Sequence, residues 1–237
     1  MLLFYIRHGD PIYDPDSLTP LGNRQAEAVA KRLAVYGIDE IYSSTSNRAQ
    51  LTAKPTAELL KKDIHLLDFC NEKYVWNEFA IDDGNGCGWI FSKRQFRRSL
   101  TSTEVAMLGD RWYEHPGFQE YKFKEGIQRV NRELDGFIAK LGYEHDRDQR
   151  VYRALSPNDK RIALFAHQGF GISFLSSILD IPYPIVATHF DMCHSGMTVI
   201  EFYNEDGIVI PKALSISNDS HIYREGLPMN YNNAIRF

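Results

Sequence analysis

Leu2-Leu3-Phe4-Tyr5-Ile6-Arg7-His8-Gly9-Asp10-Pro11 is a run of five apolar residues that passes straight into a polar turn. A short continuous apolar run that stops at glycine and proline reads as a strand covered on both faces, the kind found in the middle of a parallel sheet. Arg7 and His8 then stand where a central strand gives way to a loop. Downstream, Thr19-Pro20 supplies an N-cap and a proline at the first helical position, and Ala26, Val29, Ala30 and Leu33 recur at helical spacing before Gly37 closes the helix. Residues 38–42 predict a second strand, residues 43–46 a polar turn, residues 47–60 a helix that Ser46 can cap, and residues 64–67 a third strand.

Strand and helix alternating in this way build a sheet of parallel strands covered by helices, and such sheets collect ligands beyond the carboxyl ends of their strands. The expected fold class is α/β, a three-layer α/β/α sandwich with a mostly parallel sheet. From about residue 80 to 158 the alternation breaks into a stretch rich in aromatic, charged and turn residues, among them Trp89, Arg94, Phe96, Arg97, Arg98 and Trp112. This stretch is expected to form an inserted, mostly helical cap on a single domain of residues 1–237. Its one strongly periodic element covers residues 125–141, where Ile127, Val130, Leu134, Phe137, Ile138 and Leu141 make an apolar stripe. The sheet pattern resumes at residues 161–166, which end in His167-Gln168-Gly169 ahead of a helix with Ile172, Leu175 and Leu179 on one face. Residues 197–203 and 208–215 predict a last strand pair turning at Asn204-Glu205-Asp206-Gly207.

The bulk numbers narrow the function classes. A chain of 237 residues that is 43% hydrophobic, with 24% charged residues and a net charge of −4, can bury a sizeable core and lacks the overall basic character of a protein held to nucleic acid by phosphate neutralisation. Five apolar residues before Arg7 are too few for a signal segment or a membrane span. Cys70, Cys87 and Cys193 show neither CxxC spacing nor a disulfide framework, so a reducing cytoplasm is the expected setting.

Arg7, His8, Arg48, Glu72 and His167 all follow predicted strands or begin helices, and a parallel topology can gather them at one end of the sheet. Two guanidinium forks are the preferred holders of phosphoryl oxygens, and two imidazoles add a nucleophile and a donor. In order along the chain, four stretches resemble the histidine phosphatase superfamily, which includes phosphoglycerate mutases and fructose-bisphosphatase-like enzymes. Arg7-His8-Gly9 after an apolar strand resembles its signature, and residues 18–26, Leu-Thr-Pro-Leu-Gly-Asn-Arg-Gln-Ala, resemble its LTxxGxxQA helix start. Ser43-Ser44 with Asn47-Arg48-Ala49 and Thr52-Ala53 resembles the SSxxxRAxxTA element, and Ala166-His167-Gln168-Gly169 resembles the late SHGG element.

The resemblance implies a phosphatase that hydrolyses a small phosphomonoester through a phosphohistidine on His8, with no metal and no cofactor. Arg7, Arg48 and His167 would surround the nonbridging oxygens, and the helix beginning near Gln168 would aim backbone N–H groups at them. Glu72 would protonate the leaving oxygen, with Glu78 as the fallback acid. Val75 departs from the glycine of the phosphatase pattern ExxxGxWEG, and the asparagine usual after the signature is missing, with Tyr13 or Asp14 in its place. Departures from the mutases' RHGxSxWN and ERHYGxLxG segments favour hydrolysis. Two other readings stay open, a phosphoglycerate-type mutase and a noncatalytic phosphate or phosphoprotein binder.

Plainer readings stand beside these. Taken alone, His8 is a loop histidine and Arg48 a solvated residue in the first turn of a helix, where the dipole makes a cation unwelcome. Residues 93–98 read as a solvated basic helix face, and Asp82-Asp83-Gly84-Asn85-Gly86 as a turn, since it lacks calcium-loop spacing. His65, His115, His145, His189, His194 and His221 show no metal-binding spacing and read as structural. The expected partner is a small phosphorylated substrate, not nucleic acid or membrane.

Overall fold

The computed structural model describes residues 1–231. The chain runs through β1 (Leu2–Arg7), a hairpin of β2 (Pro11–Tyr13) and β3 (Asp16–Leu18), α1 (Pro20–Tyr36), β4 (Glu40–Ser44), α2 (Asn47–Leu60), β5 (Ile64–Leu67) and α3 (Glu72–Phe79). A second hairpin, β6 (Ala80–Asp82) and β7 (Cys87–Trp89), leads to α4 (Arg94–Leu100), α5 (Thr103–Leu108) and α6 (Phe123–Lys140), then a third, β8 (Tyr143–Asp146) and β9 (Val151–Ala154). The remainder comprises β10 (Arg161–Ala166), α7 (Gln168–Ile178), α8 (Tyr183–His189), β11 (Met197–Glu201), β12 (Ile208–Val209), β13 (Lys212–Asn218) and α9 (Ser220–Arg224).

The main sheet has the order β13-β11-β1-β10-β4-β5. Strands β1, β10, β4 and β5 pair in parallel, β11 runs against them, and the edge strand β13, antiparallel to β11, returns to their direction. The pleat of β1 sends alternate residues to opposite faces. Phe4 and Ile6 pack with Val29, Leu33, Ala53 and Ala57 of α1 and α2, while Leu3 and Tyr5 join Leu134, Ile138, Phe170 and Phe174 of α6 and α7. Helices on both faces complete the three-layer α/β arrangement. Leu134 is fully buried; truncating it to alanine removes about 2–5 kcal/mol.

The helix starts follow from local chemistry. Thr19 accepts a hydrogen bond from the Gly22 amide, Pro20 opens α1, and Gly37 ends it at φ 71°. Gly9 and Gly22 lie backbone against backbone: a Cβ on Gly9 would sit 2.6 Å from the Gly22 carbonyl oxygen. Only glycine allows that approach, which seats the loop after β1 on the first turn of α1. Ser46 precedes α2 but its side chain makes no cap bond; the Asn47 amide instead donates to Asp16 Oδ2 at 2.7 Å, so the cap comes from the β2–β3 hairpin.

Two local expectations change. Residues 43 and 44 belong to β4 rather than to a turn, because both serines are buried at the strand end. The last strand pair is β11 with β13, while residues 208–209 leave the main sheet to pair with β9. Residues 72–79 form a helix. Within the aromatic-rich segment, Trp112 packs on Phe123 and Tyr183 at 5.2 and 5.3 Å, and Phe137 of α6 meets Tyr42 of the sheet edge-on at 5.0 Å. No helix among the described residues is long and apolar enough to cross a membrane.

Candidate active site

Sheet register assembles the site. Arg7 of β1 pairs with Ala166 of the adjacent parallel strand β10, so the two strands finish side by side and the residues that follow them, His8 and His167, emerge together. The His8 amide donates to the Ala166 carbonyl at 2.9 Å, and the two rings lie 5.2 Å apart at 62°. On the other side of β10, Phe165 pairs with Ser43, which brings Ser44 to His167. Both histidines are buried.

Hydrogen bonding fixes the proton positions. His8 Nδ1 lies 2.7 Å from the Gly9 carbonyl oxygen. A carbonyl can only accept, so Nδ1 carries the hydrogen and the lone pair is on Nε2. Burial, and next the neighbouring His167, Arg7 and Arg48, push the His8 pKa well below the ordinary 6.5, which keeps the ring neutral at physiological pH. His167 has the opposite tautomer: its Nδ1 is 3.1 Å from an Arg48 nitrogen, which can only donate, and its Nε2–H faces Ser44 Oγ at 2.8 Å. Burial first, then Arg48 and Arg7, depress its pKa as well. Tyr5 holds the backbone of this turn by donating to the His167 carbonyl at 2.5 Å and accepting from its amide at 3.2 Å.

Arg48, in the first turn of α2, reaches Asp16 Oδ1 at 2.8 Å and Glu72 Oε2 at 3.0 Å, with Tyr13 stacked over it at 5.4 Å. The misfit of a cation at a helix start is thus resolved by two carboxylates. Glu72 opens α3 and its other oxygen accepts from the Gly169 amide at 2.9 Å, so it also sits at the N-terminus of α7, where a negative charge is favoured. Glu78 instead takes a bidentate grip on Arg129 at 2.6 and 2.7 Å.

Of the residues singled out from sequence, His8, Arg48, Glu72 and His167 converge. Arg7 is buried beside them with its guanidinium directed to the Met192 carbonyl at 2.5 Å and to His194 Nε2 at 2.8 Å. The Gln168 side chain hydrogen-bonds to Asp191, while its backbone opens α7. Sequence reading missed Asp16, Ser44 and His194, which stacks 5.8 Å from His8. Ser44 was visible as the second serine of a matching motif, whereas neither Asp16 nor His194 carries a spacing signal.

Ligand atoms of His8, Glu72 and His167 all lie within 4.8 Å of one another, a spacing that can close on a cation. Arg48 against two of them and Arg7 beside the third bring two guanidinium groups to the same place, and guanidinium forks are holders of anions. A cavity of about 540 Å³ opens outward from Arg48 and Glu72, walled by Tyr13, Lys73, Trp76 and Trp89. This arrangement can hold a tetrahedral anion at the sheet end with an uncharged imidazole nitrogen behind it and a carboxylate at the mouth.

Residues 3–75 match the family model described as histidine phosphatase superfamily (branch 1). No curated protein matches the chain in sequence. Among solved structures, the chain is similar to phosphoserine phosphatase of Entamoeba histolytica in complex with 3-phosphoglyceric acid, with a TM-score of 0.59 and 20% identity over 93% of this chain and 98% of that one. It is also similar to mycobacterial glucosyl-3-phosphoglycerate phosphatase complexed with VO3 (TM-score 0.57, 16% identity, 92% and 99% covered). The alpha-ribazole phosphatase of Shigella flexneri is a third likeness (TM-score 0.53, 20% identity, 92% and 98% covered). Residues 3–75 thus match the histidine phosphatase superfamily in sequence, and the chain shares the fold of these phosphatase structures.

Proposed function

We propose that the protein is a phosphatase that hydrolyses a small phosphomonoester in two in-line displacements at His8. The observation that carries this reading is the buried, neutral His8 ring, whose Nδ1–H is tied to the Gly9 carbonyl so that Nε2 presents a lone pair beside two arginines. In the first step Nε2 attacks phosphorus, the bond to the ester oxygen breaks, and that oxygen takes a proton from Glu72. In the second, water attacks the phosphohistidine, its proton passes to Glu72, and the N–P bond returns its electrons to Nε2.

Arg48 and Arg7 hold charge on the nonbridging oxygens, and an arriving dianion displaces the Glu72 contact from Arg48, freeing the carboxylate to take the proton it will donate. His167 orients Arg48 by accepting at Nδ1, and its Nε2–H, which rests on Ser44 Oγ, is a hydrogen that a phosphate oxygen can accept without any change in the ring's charge. Two guanidinium groups beside His8 support an anion rather than a metal at this place. A cytoplasmic setting is consistent with the three unpaired cysteines.

The test is product analysis on a panel of phosphomonoesters. Release of inorganic phosphate by wild type, lost in His8→Ala, supports the proposal. Isomerisation of phosphoglycerate dependent on a bisphosphate primer would identify a mutase, and binding without turnover a noncatalytic binder.

A further inference from the structure

We propose that the leaving group of the substrate is a flat, uncharged aromatic group seated against Trp76, Trp89 and Tyr13. This rests on the hydrolase reading, in which Glu72 is the group that protonates the leaving oxygen. Glu72 therefore marks the way out for the leaving group: its carboxylate lies within 4.8 Å of ring nitrogens of His8 and His167, and it also lines the cavity of about 540 Å³, whose walls include neither histidine.

The far walls of that cavity are aromatic. Trp76 and Trp89 meet edge to face at 4.9 Å and 87°, giving an L-shaped corner, and Tyr13 covers Arg48 opposite. Trp89 is held from behind by parallel stacking on Phe91 at 5.5 Å. Its outer ring edge lies on Gly169: a Cβ there would come within 2.3 Å of the indole. A missing side chain at the N-terminus of α7 thus leaves room for the indole two residues after His167. Trp76 and Tyr13 are 38% and 63% exposed, and apolar faces open to water beside an anion cradle are surface that a partner ring can cover.

Charge points the same way. Of the cations lining the cavity, Arg48 is engaged by Asp16 and Glu72, and the Lys73 ammonium lies 3.6 Å from Asp68 and 4.6 Å over the Tyr74 ring. The described walls offer no cluster of donors for a second phosphate or a carboxylate on the leaving group. A neutral ring suits them better than a bisphosphate or a phosphorylated acid.

The experiment compares 2-phenylethyl phosphate with ethyl phosphate, whose leaving alcohols are similarly basic, so that intrinsic reactivity cancels. Wild type is expected to favour the aromatic ester by roughly tenfold in kcat/KM, the scale of one buried stacked ring. That ratio should fall toward one in Trp76→Ala and survive in Trp76→Phe. A wild-type ratio near one, or a ratio unchanged in Trp76→Ala, overturns the assignment. If neither ester is hydrolysed, the hydrolase reading fails, and the subsite is decided separately by binding of benzylphosphonate against ethylphosphonate, followed by calorimetry. Tighter benzylphosphonate binding that is lost in Trp76→Ala upholds the aromatic subsite, and equal dissociation constants refute it.

Discussion

Replacing Glu72 by glutamine separates a proton donor from a mere ion-pair partner. Glutamine retains an acceptor for the Gly169 amide, which now donates to Oε1 at 2.9 Å, and its volume is nearly unchanged, so α3 and α7 keep their contact. What is lost is the charge opposite Arg48 at 3.0 Å and the transferable proton. General acid catalysis by a positioned carboxyl group contributes about 10²–10⁴-fold, or about 3–5 kcal/mol of barrier, and only where the departing oxygen needs a proton. With an alkyl phosphate the rate of enzyme phosphorylation should therefore fall by about 10²–10⁴-fold. With 4-nitrophenyl phosphate, whose leaving group departs as a stable anion, the pre-steady-state burst should slow by less than about tenfold. The slower second step, in which Glu72 receives the water proton, then leaves phosphoenzyme accumulated. Equal losses in the burst for both esters would show that Glu72 only restrains Arg48, and the assignment of the acid would have to be abandoned.

Asp16→Ala frees Arg48 from its 2.8 Å carboxylate and removes the acceptor for the Asn47 amide at the start of α2; KM is expected to rise about tenfold with a smaller change in kcat, as steady-state kinetics will report. His8 should titrate well below 6.5 by NMR, and Arg48→Gln should move its midpoint upward, because burial and the neighbouring cations are what depress it; an unchanged midpoint would remove Arg48 from the electrostatics of the nucleophile. Away from the site, His145 is clamped at 2.9 Å on each side by Asp135 and Asp180, with Arg147 bidentate on Asp135 at 2.8 and 2.7 Å. Burial lowers its pKa, but the two carboxylate bonds outweigh it and the net shift is upward from 6.5, whereas Asp135 is lowered from 3.8 despite its burial. A raised histidine stabilises the fold below pH 6.5 and loses that contribution as pH rises through the raised value; a lowered aspartate contributes above pH 3.8 and loses it as pH falls. Thermal stability should accordingly decline as pH rises above 6.5 and through the raised value, and His145→Gln should flatten that decline.

The parts of the molecule that sequence reveals are those governed by local rules. Buried strands β1 and β10 announce themselves as unbroken apolar runs, and α1 carries its cap, its proline and its closing glycine in the chain itself. His8, Arg48, Glu72 and His167 were legible because each follows such an element and parallel strands deliver their ends to one place. Contacts set by tertiary packing were not legible. The cap of α2 comes from Asp16, on a hairpin of only three-residue strands, and no pattern in residues 43–46 shows that Ser44 closes the strand and accepts a hydrogen bond from His167 Nε2–H. Arg7 shares its triplet with the nucleophile, yet its guanidinium direction depends on the loop at Met192 and His194, nearly two hundred residues away. Strand pairing near residues 197–218 escapes the sequence for a related reason: the turn residues at 204–207 are real, but which neighbour captures residues 208–209 is decided by β9.

The most direct test of the account is to mix the protein with a labelled phosphomonoester, quench in alkali, where a phosphorus–nitrogen bond on histidine survives, and map the labelled peptide. The account predicts a base-stable, acid-labile phosphate on the peptide containing His8, absent from His8→Ala. Turnover with no labelled intermediate, or a label that persists in His8→Ala, would contradict it.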